Sequence, residues 1–78
     1  MQAHFETADV RLDDAVHRAR AEFMEMPGLR LTLLQARRLW GIDIMTCSAA
    51  LAVLEESGFL ASTRDGAFVL AEAGRMTA

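Results

Sequence analysis

The feature that most constrains this chain is a pair of short helices joined by a glycine turn. Thr32 and Gln35 form a capping-box pattern, in which each side chain satisfies a free backbone N–H in the first turn of a helix. Gly41 can take the left-handed conformation that ends this helix, which we therefore place at residues 33–40. Asp43 is a favoured N-cap residue and starts another helix. The sequence thus predicts a helix, a tight turn and a further helix.

A β-hairpin is predicted directly after these helices. A Ser-Gly pair ends the last helix, and strand-forming residues follow over 59–63 and 67–70. Asp65-Gly66 lies between these segments, and Asp-Gly is a strong signal for a two-residue hairpin turn because both residues accept positive φ. In this interpretation Arg64 and Ala67 flank the turn.

Apolar residues at spacings of three and four predict the buried faces of the helices. A first helix of about four turns is expected before the turn unit, capped by Thr7 or Asp9 and ended by Pro27 and Gly28. Its predicted apolar face is Leu12, Val16, Ala19, Phe23 and Met26. The corresponding inward residues of the last helix are Cys47, Leu51 and Leu54.

The length of the chain allows one domain. We assign residues 1–8 of the 78 to an N-terminal arm, 9–71 to the domain and 72–78 to a flexible tail. Apolar residues make up 53% of the chain, which is too many for a disordered segment. The expected fold class is mainly α with a small β-hairpin (α+β).

Composition also bears on location and chemistry. No apolar run approaches the roughly 20 residues of a membrane span, and no signal peptide is recognisable. The single cysteine, Cys47, cannot form an internal disulfide, so we expect a cytoplasmic protein without a membrane partner. His4 and His17 lack other ligands at metal-binding spacing, and so small a domain leaves little room for a catalytic pocket. We therefore expect no enzyme activity, no metal and no cofactor.

The pattern Leu-Thr-x-x-Gln-Ala-x-x-Leu-x-Gly from Leu31, followed by Leu-x-x-x-Gly-Phe-Leu from Leu54, is similar to bacterial winged helix-turn-helix domains. The resemblance covers about residues 10–70 and implies a three-helix winged helix-turn-helix fold. It implies that Ile42 and Cys47 seal the junction of the two helices. It also implies a transcription regulator whose third helix enters the major groove of double-stranded DNA.

The resemblance places candidate DNA contacts on the turn unit and the wing. The third helix has none of the Arg, Lys, Asn or Gln side chains that usually form base contacts, so hydroxyls and apolar contacts to thymine methyls would replace them. Arginines on one edge would bind phosphates, with a salt dependence of log-log slope near −3 to about −4. Arg37 stands where the family usually has a small residue, so Ala36 is expected to permit close helix approach. The candidate residues are Arg30, Arg37, Arg38, Ile44, Met45, Thr46, Ser48 and Arg64.

The alternative function is a winged-helix protein-interaction or dimerisation module that does not read DNA bases. The net charge is −3, whereas nucleic-acid modules usually have a positive excess, and the third helix is apolar on nearly all sides. Either a homodimer or another protein partner would cover such a face, and dimerisation would also raise DNA affinity. The candidate interface residues are Ile44, Met45, Ala49, Ala52 and Val53.

Overall fold

The computed structural model describes the backbone of residues 2–71 and the side chains of residues 10–71. Over this range three helices are combined with three short strands. In chain order the elements are α1 (Gln2–Glu25), β1 (Leu31–Thr32), α2 (Leu33–Trp40), α3 (Ile44–Glu56), β2 (Leu60–Ser62) and β3 (Ala67–Leu70).

The capping signals form as predicted and determine the bounds of α2 and α3. The backbone N–H of Thr32 donates to Oε1 of Gln35 at 2.9 Å, and the backbone N–H of Gln35 donates to Oγ1 of Thr32 at 3.2 Å. Gly41 has φ 64° and donates its N–H to the carbonyl of Arg37 at 2.9 Å. The side chain of Asp43 accepts the N–H at the start of α3. The predicted bounds of α2 are confirmed.

Helix α1 is longer than the sequence predicted. It begins at Gln2, so the residues assigned to an arm are helical, and Thr7 and Asp9 lie inside the helix and cannot cap it. It ends at Glu25, as expected from Pro27. Met26 lies beyond this end and is 49% exposed, so its assignment to the core is wrong. The predicted tail, residues 72–78, lies outside the described residues.

The sheet has three antiparallel strands in the order β1-β3-β2, one more than the predicted hairpin. Leu31 pairs with Phe68 and Thr32 with Ala67, while the hairpin pairs Ser62 with Phe68. Strand β1 was missed because two residues are too short to show an alternating pattern. Its pairing with β3 joins the chain before α2 to the wing.

The hairpin turn has three residues, and the predicted two-residue turn is wrong. Thr63 and Ala67 flank it, with the N–H of Thr63 donating to the carbonyl of Ala67 at 2.7 Å. The N–H of Gly66 donates to the carbonyl of Thr63 at 3.1 Å, and Gly66 has φ 87°. Within the described range no residue other than glycine has positive φ, so Asp65 does not take the conformation that the two-residue turn needs. The geometry is that of a type I turn followed by a left-handed glycine.

The core lies between α1, the turn unit and the sheet. Phe23, Leu51 and Leu60 come from these three parts and are fully enclosed. The predicted inward residues of α3 are all buried, and Trp40 also belongs to the core. Ala36 is fully buried where α2 meets the core, so the expected small residue is present there. Together these elements form a three-helix winged helix-turn-helix fold.

Candidate nucleic-acid interface

The outer face of α3 is exposed and apolar. Met45 is 76% exposed, Ile44 39% and Val53 42%. Ser48 and Ala52 are also exposed, whereas Ala49 is half-buried. Each of these residues is a candidate DNA contact or interface residue predicted from the sequence. The face offers van der Waals contact and one hydroxyl, and it has no forked side chain for a base edge.

The two ends of α3 are held by carboxylates. At the start, Thr46 donates its backbone N–H to Oδ2 of Asp43 at 3.0 Å and its hydroxyl to Oδ1 at 2.7 Å. The backbone bond and then the hydroxyl bond lower the pKa of Asp43, so the carboxylate stays charged. Since the hydroxyl proton of Thr46 is used in this cap, Thr46 lacks a free donor for a phosphate. At the other end, Glu55 accepts a hydrogen bond from the hydroxyl of Ser62 at 2.8 Å.

Arg37 and Arg38 lie exposed in the last turn of α2, directly before the glycine turn. Cations at this end also interact favourably with the helix dipole. Arg38 lines a shallow groove of about 370 Å³, together with Arg30 and Leu39. The structure therefore brings two of the four predicted arginines, Arg30 and Arg38, to one groove.

The wing is less basic than the sequence suggested. The guanidinium of Arg30 forms an ion pair with Asp65, and both side chains are about half exposed. A hydrogen bond from Thr63, assisted by Arg30, lowers the pKa of Asp65 and keeps it charged. Arg64 is exposed but stands next to this carboxylate. Much of the charge of Arg30 is thus offset within the protein.

Two arginines that the sequence analysis did not select lie at the start of α3. Arg11 and Arg18 of α1 line a cleft of about 380 Å³ with the glycine turn and the capping residues of α3. Arg11 is close enough to Asp43 to contribute to the lowering of its pKa. Their spacing of seven residues, which places them on one face of a helix, was the available signal. The cleft is lined by Arg11, Asp14, Ala15, Arg18, Gly41, Ile42, Asp43 and Thr46.

The single cysteine and the histidine of the described side chains are the remaining candidates for reactive chemistry. Cys47 is fully buried, and burial raises the pKa of its thiol, which disfavours the reactive thiolate. His17 lies 3.7 Å from Asp13 in an exposed pair on α1. Among the residues that the structure describes, no group of three or more His, Cys, Asp or Glu is placed to hold a metal. Over the same residues, no helix has the length and apolar character needed to cross a membrane.

Comparisons of the chain with family models, with curated proteins and with solved structures found no match. The winged helix-turn-helix fold described above therefore rests on the elements of this chain alone.

Proposed function

We propose that this chain is a DNA-binding winged helix-turn-helix protein of the transcription-regulator type. In this proposal α3 enters the major groove and the hairpin between β2 and β3 lies on the backbone. The observation that carries it is the position of the exposed start of α3, which follows directly after the exposed arginines at the end of α2. Ile44, Met45 and Ser48 would face the bases, while Arg37 and Arg38 would contact phosphates.

This geometry favours shape-dependent binding with weak discrimination between base sequences. Apolar contacts from Ile44 and Met45 distinguish mainly thymine methyl groups, and Ser48 supplies a single hydroxyl. Most of the affinity would then come from phosphate contacts, which depend strongly on salt. Arginine suits these contacts because its planar guanidinium binds phosphate through two hydrogen bonds.

The test is fluorescence anisotropy of a labelled DNA duplex titrated with the protein at low salt. We expect binding that weakens as salt rises, and we expect Arg37→Gln with Arg38→Gln to weaken it similarly on unrelated duplexes. Loss of two phosphate contacts should reduce the magnitude of the log-log salt slope by about 1.8. The control is Arg20→Gln, because Arg20 is an exposed arginine of α1 whose guanidinium lies over the Phe59 ring, 4.9 Å from its centroid. Absence of binding at tens of micromolar protein would refute the proposal.

A second candidate function is a protein-interaction module that uses the same face of α3. The observation that favours it is the exposure of Met45, Ile44 and Val53 on one helix of an acidic chain. Exposed apolar patches on a folded domain are typical of protein–protein interaction sites. A second copy of this chain or another protein would cover them. Light scattering over a range of concentrations tests the homodimer, which a constant monomer mass would exclude.

A further inference from the structure

The charges around α3 are distributed differently from the sequence expectation. At the wing, Arg30 is paired with Asp65, and Arg64 precedes that carboxylate in the sequence. The exposed residues Arg11 and Arg18 of α1 instead line the cleft next to the start of α3. Neither forms an ion pair with another side chain of residues 10–71. Within this range, therefore, no salt bridge occupies either guanidinium group.

We propose that Arg11 and Arg18 form a second phosphate-binding edge, so that α1 and α2 hold the DNA backbone more strongly than the wing does. This inference rests on the proposed function. If the start of α3 enters the major groove, which is about 12 Å wide, the phosphates that border the groove lie beside that end of the helix. Residues of α1 that share a cleft with Asp43 and Thr46 are placed beside the same end.

Two carboxylates, Asp14 and Asp43, line the same cleft. Asp43 accepts two hydrogen bonds from Thr46, and its charge faces the positive end of the α3 dipole. Its negative charge is therefore partly balanced within the protein. Asp14 is exposed and has no such partner within the described range, so it opposes a phosphate in the cleft. Asp14→Asn should consequently strengthen DNA binding, whereas removal of either arginine should weaken it.

The contributions of the α1 arginines and the wing arginines can be separated by measuring how the dissociation constant of a DNA duplex depends on salt concentration for three proteins. These are the unaltered chain, a variant with Arg11→Gln and Arg18→Gln, and a variant with Arg30→Gln and Arg64→Gln. Both variants lose two positive charges, so their net charges are equal and only the positions differ. We expect the magnitude of the slope to fall by about 1.8 for the α1 variant and by about 0.9 or less for the wing variant. Raising the salt from about 50 mM to about 200 mM weakens the binding of both proteins. The factor of weakening should be roughly tenfold smaller for the α1 variant than for the unaltered chain.

The outcomes distinguish the two proposals. If the unaltered chain binds no duplex, the proposed function fails and this inference fails with it. If the unaltered chain binds and the α1 variant keeps the original slope, the function stands and the second phosphate edge is refuted. A larger fall in the magnitude of the salt slope for the wing variant than for the α1 variant would also refute the second phosphate edge. Circular dichroism of each variant verifies that α1 and the turn unit remain folded.

Discussion

Asp43 shows how one side chain affects both the fold and the charge of the candidate interface. Its carboxylate caps α3 through two hydrogen bonds from Thr46, which is why the glycine turn leads into a helix at Ile44. The same carboxylate lies in the cleft with Arg11 and Arg18. A residue that starts α3 therefore also lowers the positive potential beside it.

The capping role of Asp43 predicts a specific dependence of stability on pH. The hydrogen bonds from Thr46 lower the pKa of Asp43 below its ordinary value of 3.8, so the charged form is favoured in the folded protein. This contribution is complete at pH values above the unfolded pKa and is lost as the pH falls through the lower folded pKa. Asn caps helices without titrating, so Asp43→Asn should remove the dependence.

The measurement is urea unfolding of both proteins between pH about 5 and pH about 2.5. We expect the unfolding free energy of the unaltered chain to fall relative to that of the Asp43→Asn variant as the pH falls. Asp65 also has a lowered pKa, but it is present in both proteins and cancels in the comparison. A difference in unfolding free energy that does not change with pH would contradict the cap as the cause.

At the scale of elements, the parts predicted well from sequence are those determined by local hydrogen bonds. The helix α2 agreed residue for residue because Thr32, Gln35 and Gly41 act within one or two turns of their own positions. Strand β1 was missed because its partner is β3, more than thirty residues away, and two residues carry no pattern. The start of α1 was misplaced because Thr7 and Asp9 resemble caps although the helix continues through them.

The hairpin turn was misjudged for a related reason, and the error leads to a prediction. Asp-Gly suits a two-residue turn, but the side chain of Thr63 accepts the N–H of Ala67 at 3.0 Å and donates to Asp65. These bonds favour a three-residue turn in which Gly66 alone has positive φ. Gly66→Ala should therefore destabilise the protein by about 1 to 2 kcal/mol, the cost of the left-handed conformation for a residue with a Cβ.

Gly28→Ala is the matched control for this turn. An added Cβ meets nothing within 4 Å at either glycine, so neither substitution creates a clash. Of the two, only Gly66 has positive φ. Thermal or urea unfolding should show a clear loss for Gly66→Ala and a small change for Gly28→Ala. Equal losses would mean that backbone conformation is not the reason for the glycine in the wing.

At the scale of the whole molecule, the candidate interface combines an acidic chain with an apolar face and separate groups of arginines. The net charge of −3 repels DNA at long range, so binding must depend on where the cations lie. The sequence correctly predicted that Ile44, Met45 and Ala52 are exposed on α3, because periodicity assigns faces, whereas Ala49 is half-buried. It could not show which arginines are paired internally, because the pairing of Arg30 with Asp65 depends on how the wing folds back on β1.

The two candidate functions can be separated by adding one negative charge at either of two exposed methionines. Met45→Glu places it on the outer face of α3, and Met24→Glu places it on α1, where the side chain is 54% exposed. Both variants change the net charge from −3 to −4, so long-range repulsion of DNA changes equally.

If α3 reads DNA, Met45→Glu should weaken duplex binding much more than Met24→Glu does, because a carboxylate enters the groove among phosphates. If instead α3 packs against a second copy, Met45→Glu should dissociate the dimer in sedimentation experiments while duplex binding is absent in every protein. Equal behaviour of the two variants in both measurements would show that the outer face of α3 serves neither function.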